Sequence, residues 1–192
     1  MADSYLNSGL GKVQSWTNTI SGQTVHTRAS TVTDNGGYAV AGRPWYVDAT
    51  PTVTAATYAS GDIIINNATL LAFAPANDII CVLCGIECLD QSDQAWGMNI
   101  VFHKASQSIG TVDSAITVSA ANAANLAARV SLFQSEAEDW INSKRWSNFG
   151  LSVPLKPTSG TDDINYSVII NQSTPTLTNN CLSFRFWFKS NA

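Results

Sequence analysis

The sequence predicts an all-β fold: an antiparallel double-sheet jelly roll of about eight strands, with an extended amino-terminal arm and one short helical crossover. The first observation is that short runs of alternating apolar and polar residues recur at the intervals expected of a sandwich or small barrel. The second is that the segments between them are rich in Gly, Pro, Asn and Asp, which favour turns. The long loops and the amino-terminal extension favour a jelly roll over an immunoglobulin-like sandwich, which is the second choice.

The composition indicates one compact, weakly charged domain. With 192 residues the chain is long enough for one full hydrophobic core and short for two. Charged residues make up 12% of the chain, against roughly a quarter in an average soluble domain, while 45% of the chain is hydrophobic. This combination argues against disorder and favours a surface solubilised by hydroxyl and amide groups.

The distribution of charge argues against two classes of partner, nucleic acid and membrane. The formal net charge is -4, and the ten Lys and Arg residues are scattered without a cluster. A protein that binds duplex nucleic acid or an anionic membrane needs a concentrated basic surface. The start of the chain also lacks the basic and apolar regions of an export signal, so we expect the protein to be made in a cytoplasm and to remain soluble.

Residues 1–47 differ from the rest of the chain and predict an arm or a short β-ribbon. Glycines interrupt every longer periodic element there, and residues 34–37 are a strong tight-turn signal. Trp16, Trp45 and Tyr46 could anchor this arm to its own domain, to a sister subunit or to another protein.

Residues 48–192 are predicted to form the jelly-roll domain, organised around two adjoining strands. Residues 79–89 are apolar on both alternating faces apart from one glutamate, which fits a central strand covered on both sides. Residues 96–103 place four large apolar side chains on one side, as a half-buried strand does. The polar residues 90–93 between them predict a hairpin turn.

Further strands and one helix are predicted around this pair. The clearest amphipathic strand is residues 182–189, where four large apolar residues face one way and make the carboxyl-terminal end structural. A short helical crossover between the sheets is predicted within residues 116–130, where an alanine-rich run follows Ser119, a good capping residue. The other strand candidates are residues 53–57, 63–65, 70–73, 130–133, 149–155 and 166–170.

The cysteine spacing raises the question of a metal site. Cys81, Cys84 and Cys88 form a C-x-x-C-x-x-x-C run, with Cys181 far away. Zinc ligands usually project from turns, whereas these residues lie in a predicted strand, where Cys84 and Cys88 would face one way and Cys81 the other. We therefore predict buried reduced thiols and no metal site. A disulfide to Cys181 is the alternative for a chain released from a cell.

No catalytic motif is present, and we predict that the protein is not an enzyme and needs no cofactor. The two histidines, His26 and His103, lie far apart, and His103 at a strand end is predicted to be a rim residue. An acidic run at residues 136–139, next to Trp140, could suggest a glycosidase pair or a calcium site. These acids lie too close in sequence to face each other across a cleft and lack calcium-loop spacing, so a solvated loop is the better interpretation.

Six tryptophans are numerous for a chain of this length. Exposed aromatic residues can stack on sugars or form hot spots at protein interfaces. Trp96 lies on a core face and is predicted to be buried. The residues predicted to form an interface lie in loops, in the arm or on polar faces, and they are Trp16, Trp45, Tyr46, Trp140, Trp146 and Trp187.

Three stretches of the sequence resemble a known family. They are T-P-T-V-T-A-A-T-Y-A-S-G-D-I-I at residues 50–64, the run at residues 120–130, and N-Y-S-V-I-I-N-Q-S-T-P-T-L-T at residues 165–178. Together they resemble small β-rich structural proteins encoded among the virion genes of tailed bacteriophages, of the jelly-roll cement or decoration type. The resemblance spans roughly residues 48–188 and leaves the arm outside it.

The resemblance implies a structural function that involves no catalysed reaction. Decoration subunits of this kind commonly sit as trimers on the outside of a capsid lattice, and no catalytic, cofactor-binding or metal-binding residue is implied. We therefore expect a homotrimeric protein of the capsid exterior that stabilises the shell by bridging capsomers, with the major capsid protein as its partner. The alternative is a carbohydrate- or receptor-binding module of a phage tail or fibre, which would use the exposed tryptophans.

Overall fold

The fold is an antiparallel β-sandwich, which confirms the predicted all-β class. The computed structural model describes residues 16–20, 23–27 and 44–190. Every pairing between two of the strands below is antiparallel. In chain order the strands are β1 (Trp16–Ile20), β2 (Gln23–Thr27), β3 (Trp45–Ala49), β4 (Ala56–Thr57), β5 (Ile63–Leu70), β6 (Cys81–Asp90), β7 (Gly97–His103), β8 (Leu126–Leu132), β9 (Glu138–Asp139), β10 (Lys144–Leu155), β11 (Ile164–Gln172), β12 (Thr176–Leu177) and β13 (Leu182–Ser190). The helical segments are α1 (Ala120–Ala123) and a 3-10 turn at Gln134–Glu136.

Two facing sheets make up the body of the described structure. The five-stranded sheet has the order β3-β13-β6-β10-β9, and the four-stranded sheet has the order β5-β11-β7-β8. The pairs β1-β2 and β4-β12 form separate two-stranded ribbons. The inner sides of the two large sheets contribute to one continuous apolar cluster, so the sandwich has its main core between the layers.

The carboxyl-terminal strand is central to this core, as its alternation predicts. β13 pairs with β3 on one side and with β6 on the other. Its four inward apolar residues are all buried, and they are Leu182, Phe184, Phe186 and Phe188. The ring of Phe186 meets that of Phe102 on β7 edge-on at 5.9 Å, which joins the two sheets.

The predicted hairpin between residues 79–89 and 96–103 is wrong. These segments form β6 and β7, which belong to different sheets, so the chain between them passes from one layer to the other. Asp90, the last residue of β6, holds this passage in place. Its buried carboxylate accepts hydrogen bonds from the Ser92 backbone N–H at 2.7 Å and from Trp96 Nε1 at 2.9 Å.

A bulge in β6 changes which cysteines share a face. Cys84 has no partner on β13, where consecutive residues pair with Gly85 and Leu83. The extra residue shifts the alternation, so Cys81 and Cys88 both lie in the core while Cys84 is partly exposed. The prediction that Cys84 and Cys88 share a face, opposite Cys81, is therefore wrong.

The cysteine side chains are free thiols in the structure, including Cys181. Burial raises the pKa of Cys81 to about 11, and it also raises the pKa of the fully buried Cys88. Since the thiolate is the form that reacts and binds metals, these groups behave as small apolar parts of the core.

A second irregularity lies in β10, whose register with β6 shifts between Phe149 and Val153. Gly150 has a φ of 82°, a left-handed conformation that glycine tolerates best. Phe149 is therefore exposed, whereas Leu151 and Val153 pack against the core and Leu155 is buried within it. The sequence alternation, which predicts all four apolar residues on one face, is wrong for Phe149.

The connection between β7 and β8, residues 104–125, covers the outer face of the four-stranded sheet. Ile109 from this connection is buried against Ile63, Val101 and Ile169, which form a second apolar cluster with it. The outer side of this sheet is therefore packed against the protein's own chain.

The predicted helix exists but is not a crossover between sheets. α1 begins after Ser119, whose hydroxyl accepts the Asn122 backbone N–H at 3.2 Å, as the capping prediction requires. The helix lies in the connection between β7 and β8, which are neighbours in one sheet.

The shorter strands differ in detail from the prediction. Within the predicted strand 53–57, only Ala56–Thr57 belong to a strand, β4. The predicted strand 63–65 continues through Leu70 as β5, and residues 71–73 are not part of a strand. Local alternation located these segments, and pairing with β11 and β12 sets their ends.

Within the predicted arm, β1 and β2 form a two-stranded ribbon, and residues 45–47 belong to β3. The turn predicted at residues 34–37 lies outside the described residues. β3 starts at Trp45 and pairs with β13, so the boundary predicted after residue 47 falls inside a strand of the sandwich.

His103 is buried within the fold, and the prediction of a rim position is wrong. Its Nε2 lies 2.9 Å from Ser167 Oγ on the adjacent strand β11. Its Nδ1 lies 3.0 Å from Gln107 Nε2, in the connection that covers the sheet. Burial lowers the pKa of His103 from its usual 6.5, so at neutral pH the uncharged ring links the sheet to its cover.

We expect the free energy of unfolding to fall as the pH drops below about 6.5, because the unfolded imidazole takes up a proton there while the folded one stays neutral. The stabilisation is complete above this pH, and the loss grows until the pH reaches the lowered pKa of the folded state. Chemical denaturation at a series of pH values measures the slope. His103→Gln should remove the pH dependence of the free energy of unfolding between the lowered pKa of His103 and about pH 6.5. An unchanged pH dependence in this variant would show that other groups cause it.

Candidate binding face on the five-stranded sheet

The outer face of the five-stranded sheet carries an aromatic row that crosses four strands. Tyr46 of β3 lies opposite Trp187 of β13, Trp187 lies opposite Gly85 of β6, and Gly85 lies opposite Phe149 of β10. The ring centroids of Tyr46 and Phe149 lie 5.0 and 6.3 Å from that of Trp187. Gly85 makes room for this packing, since a Cβ there would lie 2.5 Å from Phe149 Cδ1. We call Tyr46, Trp187 and Phe149 the aromatic strip.

The next row on this face is charged. Asp48 of β3 lies opposite Arg185 of β13, and Arg185 lies opposite Glu87 of β6. Arg185 donates to both oxygens of Asp48, from Nε at 2.7 Å and from Nη2 at 3.0 Å. Its guanidinium also lies 4.2 Å from the centroid of the Tyr46 ring. The two-point contact and the ring together fix the plane of the guanidinium.

Glu87 is held from two directions. Arg145 of β10 donates from Nη2 to one carboxylate oxygen. Trp187 Nε1 donates to the other oxygen at 3.0 Å. Glu87 therefore connects the charged row to the aromatic strip, and its partly buried carboxylate has little freedom to reorient.

Trp140 borders this face beyond β10. Two hydrogen bonds fix the turn after it. The Trp140 backbone N–H donates to the Ser143 carbonyl at 2.9 Å, and the Ser143 hydroxyl donates to the Trp140 carbonyl at 2.5 Å. Lys144 pairs with Asp139 of β9 at 3.0 Å and anchors the same segment. The Arg145 guanidinium lies 4.9 Å from the Trp140 ring centroid, and 52% of this tryptophan remains exposed.

A groove of about 410 Å³ lies between these side chains. The β10 side contributes Trp140 and Arg145, and the β3 and β13 side contributes Asp48 and Arg185, with Glu87 on the strand between them. The smaller side chains that also line the groove are Thr50, Leu89 and Ser183. Each charged side chain that lines the groove forms an ion pair with another one, so these groups are preorganised for binding.

The structure brings three of the six predicted interface residues together on this face. Tyr46 and Trp187 belong to the aromatic strip, and Trp140 lines the groove. The side chain of Trp16 lies outside the described residues. Alternation correctly placed Trp187 on an outer face, opposite the apolar face of its strand, whereas Tyr46 was predicted as an anchor of the arm and not from alternation.

The other two predicted interface residues face the core. Trp45 donates from its indole N–H to the Phe73 carbonyl at 2.9 Å and packs within the sandwich edge. Trp146 is 0% exposed and meets the buried Trp96 at 5.8 Å, so the prediction of an interface role for it is wrong. Trp146 lies between the outward Arg145 and Ser147 on β10, which directs its side chain inward.

Sequence reasoning missed most of the groove. Its charged side chains are Asp48, Glu87, Arg145 and Arg185. Asp48 and Arg185 are 137 positions apart in the chain, and only the pairing of β3 with β13 brings them together. The available signal was a charged residue at an outward position of each strand, which is also the pattern of an ordinary solvated face.

The three acids of the predicted acidic loop do not converge. Glu136 accepts the Phe133 backbone N–H at 2.9 Å, Asp139 pairs with Lys144, and Glu138 is exposed. Across the part of the chain that the structure describes, no group of three or more His, Cys, Asp or Glu side chains could hold a metal ion. Glu136 and Asp139 therefore make local contacts in the loop, and Glu138 is exposed.

The chain matches no protein-family model, and no curated protein or solved structure is significantly similar to it. None of the helices in the described ranges has the length and apolar character needed to cross a membrane. The geometry of the outer face is therefore the main basis for inferring a function.

Proposed function

We propose that this protein is a non-enzymatic structural protein of a tailed-bacteriophage virion that decorates the capsid exterior and stabilises the shell by bridging capsomers. Its partner is the major capsid protein, and three copies form the decorating unit. The sandwich has jelly-roll topology in this proposal, and the amino-terminal arm lies along neighbouring shell subunits. Stabilisation comes from the surface buried by each copy, repeated over the lattice, and needs no chemical step.

Two of the three segments that resemble decoration proteins are neighbours in the fold, which supports treating these two as one unit. The third, residues 120–130, contains α1 and most of β8, which pairs with β7. Residues 50–64 contain β4 and the start of β5, and residues 165–178 contain most of β11 and all of β12. β4 pairs with β12, and β5 pairs with β11. The likeness therefore concerns strands that depend on one another.

The observation that carries the proposal is a set of large apolar side chains left exposed on the connection between β8 and β10. Phe133, Trp140 and Ile141 in this connection are 46%, 52% and 93% exposed. Phe149, on the adjoining strand β10, is 57% exposed. Large apolar groups grouped along one segment are typical of a protein–protein contact.

Ile141→Asp should weaken binding to the shell by at least about tenfold while the fold stays intact. The side chain is almost fully exposed, so the change has little effect on the free energy of unfolding. In a shell contact the new carboxylate would be buried without a partner. Capsids of the encoding phage, assembled without this protein, can be titrated with the full-length chain and the bound fraction measured by sedimentation.

Ile116→Asp is the matched control for this experiment. Ile116 is also an exposed isoleucine, but it belongs to the connection that covers the four-stranded sheet. Its substitution should leave the bound fraction unchanged. Native binding by Ile141→Asp would remove this surface from the proposal, and a native chain that does not bind capsids would overturn the proposed function.

A further inference from the structure

The groove on the five-stranded sheet has the size of a small-molecule site. Its volume of about 410 Å³ falls within the range of roughly 300–1,000 Å³ that ligand pockets occupy. It combines an exposed aromatic side chain, Trp140, with several fixed polar groups. This mixture of apolar area and a few oriented polar groups is typical of a binding site.

The charges that line the groove cancel. Arg145 and Arg185 supply two positive charges, and each is paired with one carboxylate, Glu87 or Asp48. A phosphate site would show an excess of positive charge, and a cation site an excess of negative charge. The groove is therefore suited to an uncharged ligand.

The charge pairs leave hydrogen-bonding capacity at the groove. Arg185 uses two of its five N–H donors for Asp48, and three further donors remain on the same rigid group. The carboxylates of Asp48 and Glu87 have further acceptor positions, and the hydroxyls of Thr50 and Ser183 can both donate and accept. Donors and acceptors thus lie close together, as a ligand with several neighbouring hydroxyls requires.

The aromatic part of the groove adds an apolar contact of matching size. About half of Trp140 is exposed, and the stacked Arg145 guanidinium holds its ring in place. One face of a pyranose ring consists largely of C–H groups, which pack against an aromatic ring. A sugar therefore offers both a C–H face for Trp140 and hydroxyls for the polar groups of the groove.

We propose that the groove binds a neutral mono- or disaccharide. Trp140 packs against the C–H face of one sugar ring, while Arg185, Asp48 and Glu87 bond its hydroxyls. The inference stands on the groove's own residues and does not depend on capsid decoration.

The experiment follows the tryptophan indole signals of the full-length chain by NMR during titration with neutral sugars. Galactose, glucose, mannose, N-acetylglucosamine and their disaccharides are added up to about 20 mM, which covers weak millimolar binding. We expect at least one sugar to shift the Trp140 signal saturably, together with that of Trp187, whose indole N–H bonds to Glu87. The Trp140 signal is assigned by its loss in Trp140→Phe, and the buried Trp96 signal should stay in place.

Two variants test whether the groove itself is the site. Ser183→Trp should fill the groove and weaken sugar binding at least about tenfold, while Ser152→Trp, at an exposed serine of β10 outside it, should not. Trp140→Ala should also weaken sugar binding, and its sugar affinity tests the groove if Ser183→Trp does not fold. Its capsid binding is not used for the comparison, because Trp140 also belongs to the exposed apolar set proposed to contact the shell.

Three results would overturn the saccharide site. They are the absence of a Trp140 shift with every neutral sugar, native affinity in the folded groove variants, and shifts caused by inorganic phosphate alone. The sedimentation assay with Ser183→Trp distinguishes the saccharide site from capsid decoration. Filling the groove should weaken sugar binding and leave capsid binding at its native level.

Discussion

A chain that ends after Cys181 should fail to fold. The truncation removes β13, the strand that joins β3 to the rest of its sheet and supplies four buried apolar side chains. At about 1.5–3 kcal/mol for each buried group, their loss removes roughly 6–12 kcal/mol. Net stabilities of domains are about 5–15 kcal/mol, so little or none would remain.

Loss of the cooperative transition in thermal or urea unfolding, with collapsed dispersion of the amide NMR signals, would show this outcome. Removal of Asn191 and Ala192 alone is the control, because β13 ends at Ser190, and it should leave the unfolding midpoint unchanged. A cooperative transition in the longer truncation would show that β3 and β6 can form the sheet without their shared neighbour.

Trp146→Ala should lower the free energy of unfolding by about 3–5 kcal/mol, the usual effect of emptying a large aromatic site in a core. Trp146 is fully buried, packs on Trp96, and donates its indole N–H to the Phe133 carbonyl at 3.1 Å. Trp146→Ala therefore leaves a cavity and removes one of the two hydrogen bonds that the Phe133 carbonyl accepts, the other coming from the Glu136 backbone N–H at 3.0 Å.

Trp140→Ala is the matched substitution, with the same change in side chain at an exposed position only six residues earlier in the chain. It loses the contact with the Arg145 guanidinium and should cost about 1 kcal/mol or less. Urea denaturation of the native chain and both variants measures the difference. Equal effects would contradict the division between a core tryptophan and a surface tryptophan.

The strands with regular alternation could be predicted because burial follows local parity there. Leu182, Phe184, Phe186 and Phe188 are inward on β13, as their spacing requires. The capped helix start at Ser119 was equally local, since the capping hydroxyl and the backbone N–H that it accepts lie three residues apart.

The passage between β6 and β7 could not be predicted, because a polar run of this length suits either a hairpin or a connection between layers. The outcome depends on Asp90, whose carboxylate bonds to Trp96 across the turn. Asp90 has the composition of a turn residue in either case, and nothing in the local sequence indicates which strands will pair.

Local irregularities in the register of β6 and β10 explain the wrong assignments of faces. The unpaired Cys84 in β6 and the left-handed Gly150 in β10 each change which side chains point inward. One inserted residue reverses every position beyond it, so a correct strand can carry an incorrect face. Cys88 and Phe149 were misassigned for this reason.

The groove could not be predicted as a site, because no pair of its charged residues is close in sequence. Arg145 and Glu87 are 58 positions apart, and they meet only through the pairing of β10 with β6. Sequence analysis did identify Trp140 as exposed and as a candidate contact, since it lies in a loop among polar residues.

The cover formed by residues 104–125 gives the molecule a front and a back. Ile109 and its neighbours pack beneath this cover at the back, so a partner there would meet the connection and not the sheet itself. The front carries the aromatic strip and the groove on a firmly paired sheet. Copies arranged in a regular array would therefore all present the same side outward, and a label or fused peptide would be displayed in one uniform direction.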